Sequence, residues 1–256
     1  MNDLNYVSKN KKKILIFIPA YNVEKRILHV LKRIPENLFN EHFISILIIE
    51  DFSKDKTKYI IEEYIKKNSK NNSIHLIKNE KNHGYGGVQK IAYKYALKNN
   101  FDYVIMLHGD GQYAPEKIPE FISNLLSSNV DAVFGSRMIN SKDALKGGMP
   151  MYKFIGNKVL TFIQNLIIGS KISEFHSGYR SYKVEVLKKI NFEKNTDSFH
   201  FDSEIIIQML KLNYVIKEIP MPTFYGNEVS HLKSIPYGIN VLISTIKYKF
   251  FYNDWD

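Results

Sequence analysis

Residues 103–120 read YVIMLHGDGQYAPEKIPE, an apolar run that breaks into His108, Asp110 and Gln112 with Gly109 and Gly111 between them. Alternate residues leaving a strand can point to one side, and the glycines let backbone and ligand approach closely. An imidazole, a carboxylate and an amide oxygen can all bind a divalent ion. The oxygens suit magnesium or manganese, and the imidazole tilts the choice toward manganese. An ion held there would neutralise a diphosphate leaving group.

Such groups need elements to position them. Short apolar runs at 14–18, 44–49, 74–78 and 103–107 alternate with helical spacing at 24–34, 56–67, 87–97 and 115–126. That alternation predicts an α/β protein with a mostly parallel sheet covered by helices on both faces. In these sheets ligands sit at the carboxyl ends of the strands. The polar clusters fall there: Pro19-Ala20-Tyr21-Asn22 after the first strand, Glu50-Asp51-Phe52-Ser53 after the second, Asn82-His83-Gly84 beyond the third, and His108-Gly109-Asp110 after the fourth. The second half is less regular. A strand is expected at 132–135, a long apolar helix at 152–168, helices at 182–190 and 202–212, and a strand at 215–219. No repeat or linker interrupts the chain, so one domain is expected over 13–225, with a tail at 1–12 and a loop and amphipathic helix at 226–256.

Composition narrows the classes. The chain has no cysteine, which excludes disulfides, zinc–thiolate sites and cysteine nucleophiles and fits a reducing cytoplasm. The apolar run at 14–18 is too short for a signal peptide and reads as a buried strand. No stretch approaches the roughly 18 apolar residues of a bilayer span. The formal charge of +10 admits nucleic acid, an anionic membrane or phosphorylated substrates as partners. The acidic strand ends argue against nucleic acid. The apolar, lysine-interleaved tail at 237–251 fits either packing on the core or contact with a membrane surface.

The order PAYN, EDFSKDKT, NHGYGG, HGDGQYAPE, GSR and SGYR resembles inverting family 2 glycosyltransferases, in particular the branch that contains the polyprenyl-phosphate mannosyl- and glucosyltransferases. The resemblance spans about residues 13–225 and implies a GT-A fold, a UDP- or GDP-linked sugar donor and inversion at the anomeric carbon. Carried over by position, Pro19, Ala20, Tyr21 and Glu24 line the nucleotide, Asp51 meets the base or ribose, and Ser53 closes that turn. Gly84 and Gly86 belong to the glycine-rich turn. Asp110 is the second acid of the DxD metal motif, and Gln112 the glutamine that follows it. Arg137 and Arg180 match arginines expected near phosphate groups, where bidentate contacts are favourable. The chain departs from the pattern at His108, which stands for the first acid of DxD, and at Tyr85, where a lysine is usual.

Inversion is a single in-line displacement, so a hydroxyl acceptor needs a general base and a phosphate acceptor needs none. Asp202 and Glu204 in FHFDSE, with His200 behind them, are the candidate bases. Asp202 also suits a helix N-terminus. His176 is a candidate for the acceptor side. Residues 222–238 resemble the family's closing segment, with Tyr225, Glu228, Ser230 and His231 as candidates. The acceptor is thus a polyprenyl phosphate, reached at the inner face of a membrane, or a hydroxyl of a lipid-linked saccharide or glycan. A nucleotidyltransferase would carry a glycine-rich basic loop after the first strand, where PAYN stands. A homologue that has lost metal binding through His108 would bind a nucleotide sugar without turning it over.

Overall fold

The strand KILIFIPA (β1, Lys13–Ala20) shows no alternation because it has no solvent side: Ile14, Leu15, Ile16, Phe17 and Ile18 are all fully buried. This is the pattern of a parallel strand sandwiched between helices. It belongs to a computed structural model that describes residues 11–68, 73–222, 225 and 234–250. After β1 come α1 (Ile27–Lys32), α2 (Leu38–Glu41), β2 (Phe43–Glu50), α3 (Thr57–Lys67), β3 (Ile74–Lys78), α4 (Gly84–Lys98) and β4 (Tyr103–Met106). The chain continues through α5 (Ile118–Leu125), β5 (Ala132–Ser136), α6 (Ser141–Lys146), α7 (Met151–Ile168), β6 (Arg180–Lys183) and α8 (Val184–Leu187). It ends with α9 (Phe201–Lys211), β7 (Ile216–Pro220) and α10 (Ser234–Phe250).

Seven strands form one sheet in the order β3-β2-β1-β4-β6-β5-β7. Only β6 runs against its neighbours, pairing antiparallel with β4 and β5. Alternate residues of the central strands feed two cores. Ile14, Ile16 and Ile18 join Ile44, Ile46 and Ile48 beneath α1, α3 and α5, while Leu15, Phe17, Leu47 and Ile49 pack beneath α4 and α9. Each fully buried Ile, Leu or Phe contributes about 1.5–3 kcal/mol, so this double layer holds the strand ends rigidly.

From β1 the chain winds outward to β2 and β3, then crosses back to β4 on the other side of β1. The carboxyl edge of β1 and β4 is therefore a topological switch point, where the connecting loops diverge and leave a crevice.

The structure corrects two element assignments. The expected helix at 182–190 is a strand through residue 183, followed by the single turn α8. Arg180 to Tyr182 are buried between two other strands, so the apolar spacing that suggested a helix reflects tertiary burial instead. The expected helix at 87–97 starts earlier, at Gly84. Its start is set by a carboxylate from a distant loop, Asp51, together with Asn82 Oδ1, which also accepts from Gly84 N. Among the described residues, no helix is long and apolar enough to cross a membrane.

Candidate active site

A cleft of about 1210 Å³ opens at that carboxyl edge. One wall is built by the loops after β1, β2 and β4. Residues Pro19, Ala20, Tyr21 and Glu24 line it, with Asp51, Gly84, His108, Asp110 and Gln112. The first two loops are laced together. Asn22 N donates to Ser53 Oγ at 3.1 Å, Lys54 N to Asn22 Oδ1 at 2.8 Å, Val23 N to Thr57 Oγ1 at 2.8 Å and Lys56 N to Glu24 Oε2 at 2.9 Å. Asn22 adopts a left-handed backbone (φ 54°), which its short polar side chain tolerates. Ser53 itself stays off the cleft wall and ties the two loops together.

Asp51 is buried at the end of β2. Its Oδ1 accepts from Asn79 Nδ2 (2.7 Å) and His83 N (2.9 Å), and its Oδ2 accepts from Gly84 N at 3.1 Å. The carboxylate thus satisfies orphan amides at the positive end of α4. Gly84 (φ +77°) lines the cleft, and a Cβ there would stand 2.7 Å from Asp197 O. Gly86 does not line it. A Cβ at Gly86 would meet Thr196 O at 2.4 Å and Phe201 Cβ at 2.9 Å, so this glycine lets α4 pack on the segment entering α9.

At the end of β4, Asp110 Oδ1 accepts from Gln112 N at 3.0 Å, which leaves Oδ2 available to the cleft. His108 is placed differently from the metal-ligand expectation. Its Nε2 meets Gly178 O at 3.1 Å, and a carbonyl can only accept, so this nitrogen carries the proton. The ring lies 5.1 Å from Tyr113 and 5.8 Å from Tyr85 between centroids. Gly178 makes this possible, since a Cβ there would sit 2.5 Å from His108 Nε2. Among the described residues no three His, Cys, Asp or Glu side chains form a cation cage. The donor set therefore fits a cation shared with a bound diphosphate, with Asp110 as the protein's carboxylate. It does not fit an ion held by protein alone.

Asp202 reaches the cleft from the first turn of α9 and is nearly buried. Its Oδ2 accepts from the Tyr85 hydroxyl at 2.8 Å and its Oδ1 from Gln89 Nε2 at 2.9 Å; Arg180 Nε lies 3.4 Å from Oδ2. Arg180 is a correction. Its guanidinium is fully buried behind Asp202, donates to Ser177 O (2.7 Å) and Phe175 O (2.6 Å), and does not line the cleft. Burial opposes that charge, but Asp202 beside it holds the arginine above its ordinary pKa. Glu204 and His200 also lie off the cleft. Glu204 accepts from Thr196 N (2.7 Å) and Ser244 Oγ (3.0 Å), and burial raises its pKa.

The opposite wall comes from α7, the start of α10 and the loop before β6. Arg137 lines it, held by buried Glu174, which accepts from Arg137 N (2.6 Å), Nε (2.7 Å) and Nη2 and from Asn157 Nδ2 (2.6 Å). Arg137 Nη1 donates to the Tyr225 hydroxyl at 2.7 Å. His176 also lines the wall, its Nδ1 2.8 Å from the Tyr237 hydroxyl. Burial pushes its pKa down to about 3, so the ring is neutral near pH 7. Glu228, Ser230 and His231 lie outside the described residues.

Sequence reasoning missed Lys25 and Arg26 beside the first loop, Tyr152 and Lys153 on α7, and Glu174 beneath Arg137. Lys25-Arg26 follows PAYN within one helical turn, a signal that was available in the sequence. Glu174 had none, since a lone acid in KISEFHSG reads as a surface residue.

The model of the family described as glycosyl transferase family 2 matches residues 15–191. A UDP-N-acetylglucosamine–dolichyl-phosphate N-acetylglucosaminyltransferase from Methanococcus voltae is 32% identical, with 94% of each chain covered. A polyprenol monophosphomannose synthase from Mycolicibacterium smegmatis is 21% identical over 85% of this chain and 79% of that one. Glucosyl-3-phosphoglycerate synthase from Mycobacterium tuberculosis, solved with Mn2+, UDP-glucose and phosphoglyceric acid, superposes with a TM-score of 0.67. It is 13% identical, over 96% of this chain and 82% of that one, and so shares the fold.

Proposed function

The chain belongs to glycosyl transferase family 2, and from that premise we propose that it moves a sugar from a UDP-linked donor to a polyprenyl phosphate, with inversion. The observation that carries this reading is the asymmetry of the cleft. The wall built by the β1 and β2 loops bears Glu24, Asp51 and Asp55, which suit ribose hydroxyls and a base edge. The opposite wall, from Arg137 through α7 to Tyr237, bears Arg137 and Lys153. The carboxylates that border that wall on the cleft, Asp197 and Asp202, come from the segment entering α9, and Asp202 is paired with buried Arg180. Such a wall suits an acceptor that arrives with its own negative charge.

The chain's residues divide the work accordingly. The loop Pro19 to Glu24 and the Asp51 turn hold the nucleotide. Lys25 and Arg26 stand where diphosphate charge needs neutralising. Asp110 would hold a divalent cation, manganese or magnesium, together with the diphosphate. When bound, that ion supplies charge neutralisation of the leaving group. Asp202 accepts from Tyr85 and Gln89 and is paired with Arg180, and as a carboxylate fixed by two donors and an ion pair it orients the Tyr85 hydroxyl at the floor of the cleft. A phosphate acceptor is already a nucleophile and requires no base.

A hydroxyl acceptor is the second reading. It is favoured only by the position of Asp202 on the cleft wall, from which it would take the proton. The test is transfer of labelled sugar from UDP-, GDP- and dTDP-linked donors to a polyprenyl phosphate, with and without manganese, followed by organic extraction. Labelled lipid from a UDP-sugar alone is the expected result. Label that appears only on a saccharide hydroxyl would reject the phosphate acceptor.

A further inference from the structure

Helices α7 and α10 both turn an apolar stripe to the outside. On α7 the side chains turned to the protein body are Asn157, Thr161 and Gln164, while Met151, Ile155, Val159, Phe162 and Leu166 face outward at 50–73% exposure. On α10 the inner side chains are Val241, Ser244, Thr245 and Tyr248, a mixed face, and Ile235, Ile239, Ile243, Ile246 and Phe250 face outward at 46–78% exposure. The outward sets repeat the same 4, 4, 3, 4 spacing, which places each in an arc of about 100° or less on its helix.

The polar residues face inward because they have partners there. Asn157 Nδ2 donates to Glu174, Ser244 Oγ to Glu204 at 3.0 Å and Gln164 Nε2 to Thr245 Oγ1 at 3.2 Å. The last bond, and the 3.5 Å at which a Cβ placed on Gly238 would meet Leu160 Cδ1, show that the helices lie side by side. Their outer faces together make a contiguous apolar plate, larger than the scattered apolar side chains of an ordinary surface.

We propose that this plate docks on an anionic lipid bilayer, lying in the headgroup layer without crossing it. Charge selects this occupant over a protein. The 18 residues of α7 and 17 of α10 contain Lys153, Lys158, Lys247 and Lys249 and no carboxylate. Lysines flanking an apolar stripe match lipid phosphates below and acyl chains at the centre. Position adds to it: the first turns of both helices border the cleft, with Tyr152, Lys153, Ser234 and Tyr237 on its wall. A lipid phosphate rising from the bilayer meets the cation-bearing wall of the cleft directly. This deepens the polyprenyl-phosphate reading and rests on it for its purpose, though not for its geometry.

The test is co-sedimentation with phosphatidylcholine vesicles, with and without phosphatidylglycerol. It compares the wild type with a variant carrying Phe162→Ser, Leu166→Ser and Ile243→Ser, none of which lines the cleft. The wild type is expected to bind the phosphatidylglycerol vesicles, less so at high salt. The variant should lose roughly a thousandfold or more in partitioning, since each of the three buried Ile, Leu or Phe side chains is worth a factor of about ten or more. Its melting temperature and donor-induced thermal shift should not change. Lys158→Glu with Lys249→Glu should weaken binding to the anionic vesicles alone. A wild type that ignores both vesicles, or a variant that binds as well as wild type, overturns the proposal. A wild-type dimer that the triple variant dissociates, without vesicle binding, makes a second copy the occupant and also overturns it. Transfer to a detergent-dispersed polyprenyl phosphate, read alongside, separates the two ideas: transfer without vesicle binding rejects docking alone, and vesicle binding without transfer rejects the acceptor alone.

Discussion

Replacing Glu174 by glutamine tests the cleft's second wall where it is most exposed to failure. Glu174 is fully buried, and its carboxylate accepts from Arg137 N, Nε and Nη2 and from Asn157 Nδ2. Burial works against both charges, but each holds the other ionised: Arg137 keeps the acid below its ordinary pKa, and Glu174 keeps the arginine above its own. The substitution keeps the volume and removes the charge. It also turns an amide NH2 toward donors, leaving a guanidinium of 8% side-chain exposure without a counter-ion. Breaking one side of a buried pair costs about 3–5 kcal/mol. For a chain of this size each kcal/mol is about 2–4 °C, so the melting temperature should fall by about 10 °C. Scanning calorimetry reads the fall, and because the pair is shielded from solvent, added salt should not reproduce it. Arg137 should also lose its hold on the Tyr225 hydroxyl, raising the acceptor KM more than it lowers kcat. Replacing both partners with Leu and Met should recover much of the stability but not the KM. A Glu174→Gln protein that melts within about 2 °C of wild type, less than about 1 kcal/mol, would refute the reasoning.

Asp110→Asn should abolish the manganese-dependent part of the donor thermal shift and lower kcat by about 10²–10³-fold; an unchanged shift would remove Asp110 from the cation. Asp202→Asn should lower the melting temperature, because buried Arg180 loses its charged neighbour, yet keep kcat within about tenfold if the acceptor is a phosphate. A far larger fall in kcat would restore Asp202 as a base. His176 is neutral in the fold, with its pKa near 3, and takes a proton near pH 6.5 when unfolded. Its stabilisation is therefore intact above about pH 6.5 and is lost as pH falls through that value toward 3. At pH 5 the loss is about 1–2 kcal/mol, and urea titrations should find it missing in His176→Gln. Gly86→Ala should cost at least about 2 kcal/mol by forcing α4 off the 196–201 segment. Gly156→Ala, in open space on α7, should instead stabilise by about 0.5–1 kcal/mol; equal melting temperatures for the two would discredit the packing argument.

Much of this was legible in the sequence because it is local. β-branched runs such as ILIFI and ILII bury both faces, and their alternation with helical spacing is enough to dictate a wound parallel sheet with its ligands at the strand ends. The polar clusters at Pro19, Asp51 and Asp110 lie next to those runs, so the sequence alone placed them at the cleft, and the motif order named the family. Arg180, Gly86 and Glu174 depend on partners far along the chain. An arginine after SGY reads as a phosphate ligand until β6 is seen to run between β4 and β5, burying the guanidinium behind Asp202. Tertiary structure also decided which side of α7 faces water. Its sequence predicts a long apolar helix without saying which side is buried, and only the inward bonds of Asn157 and Gln164 show that the apolar stripe is the outer one. Periodicity reports that a helix has two faces. Which face is buried depends on where the hydrogen-bond partners lie, and those are set by the fold.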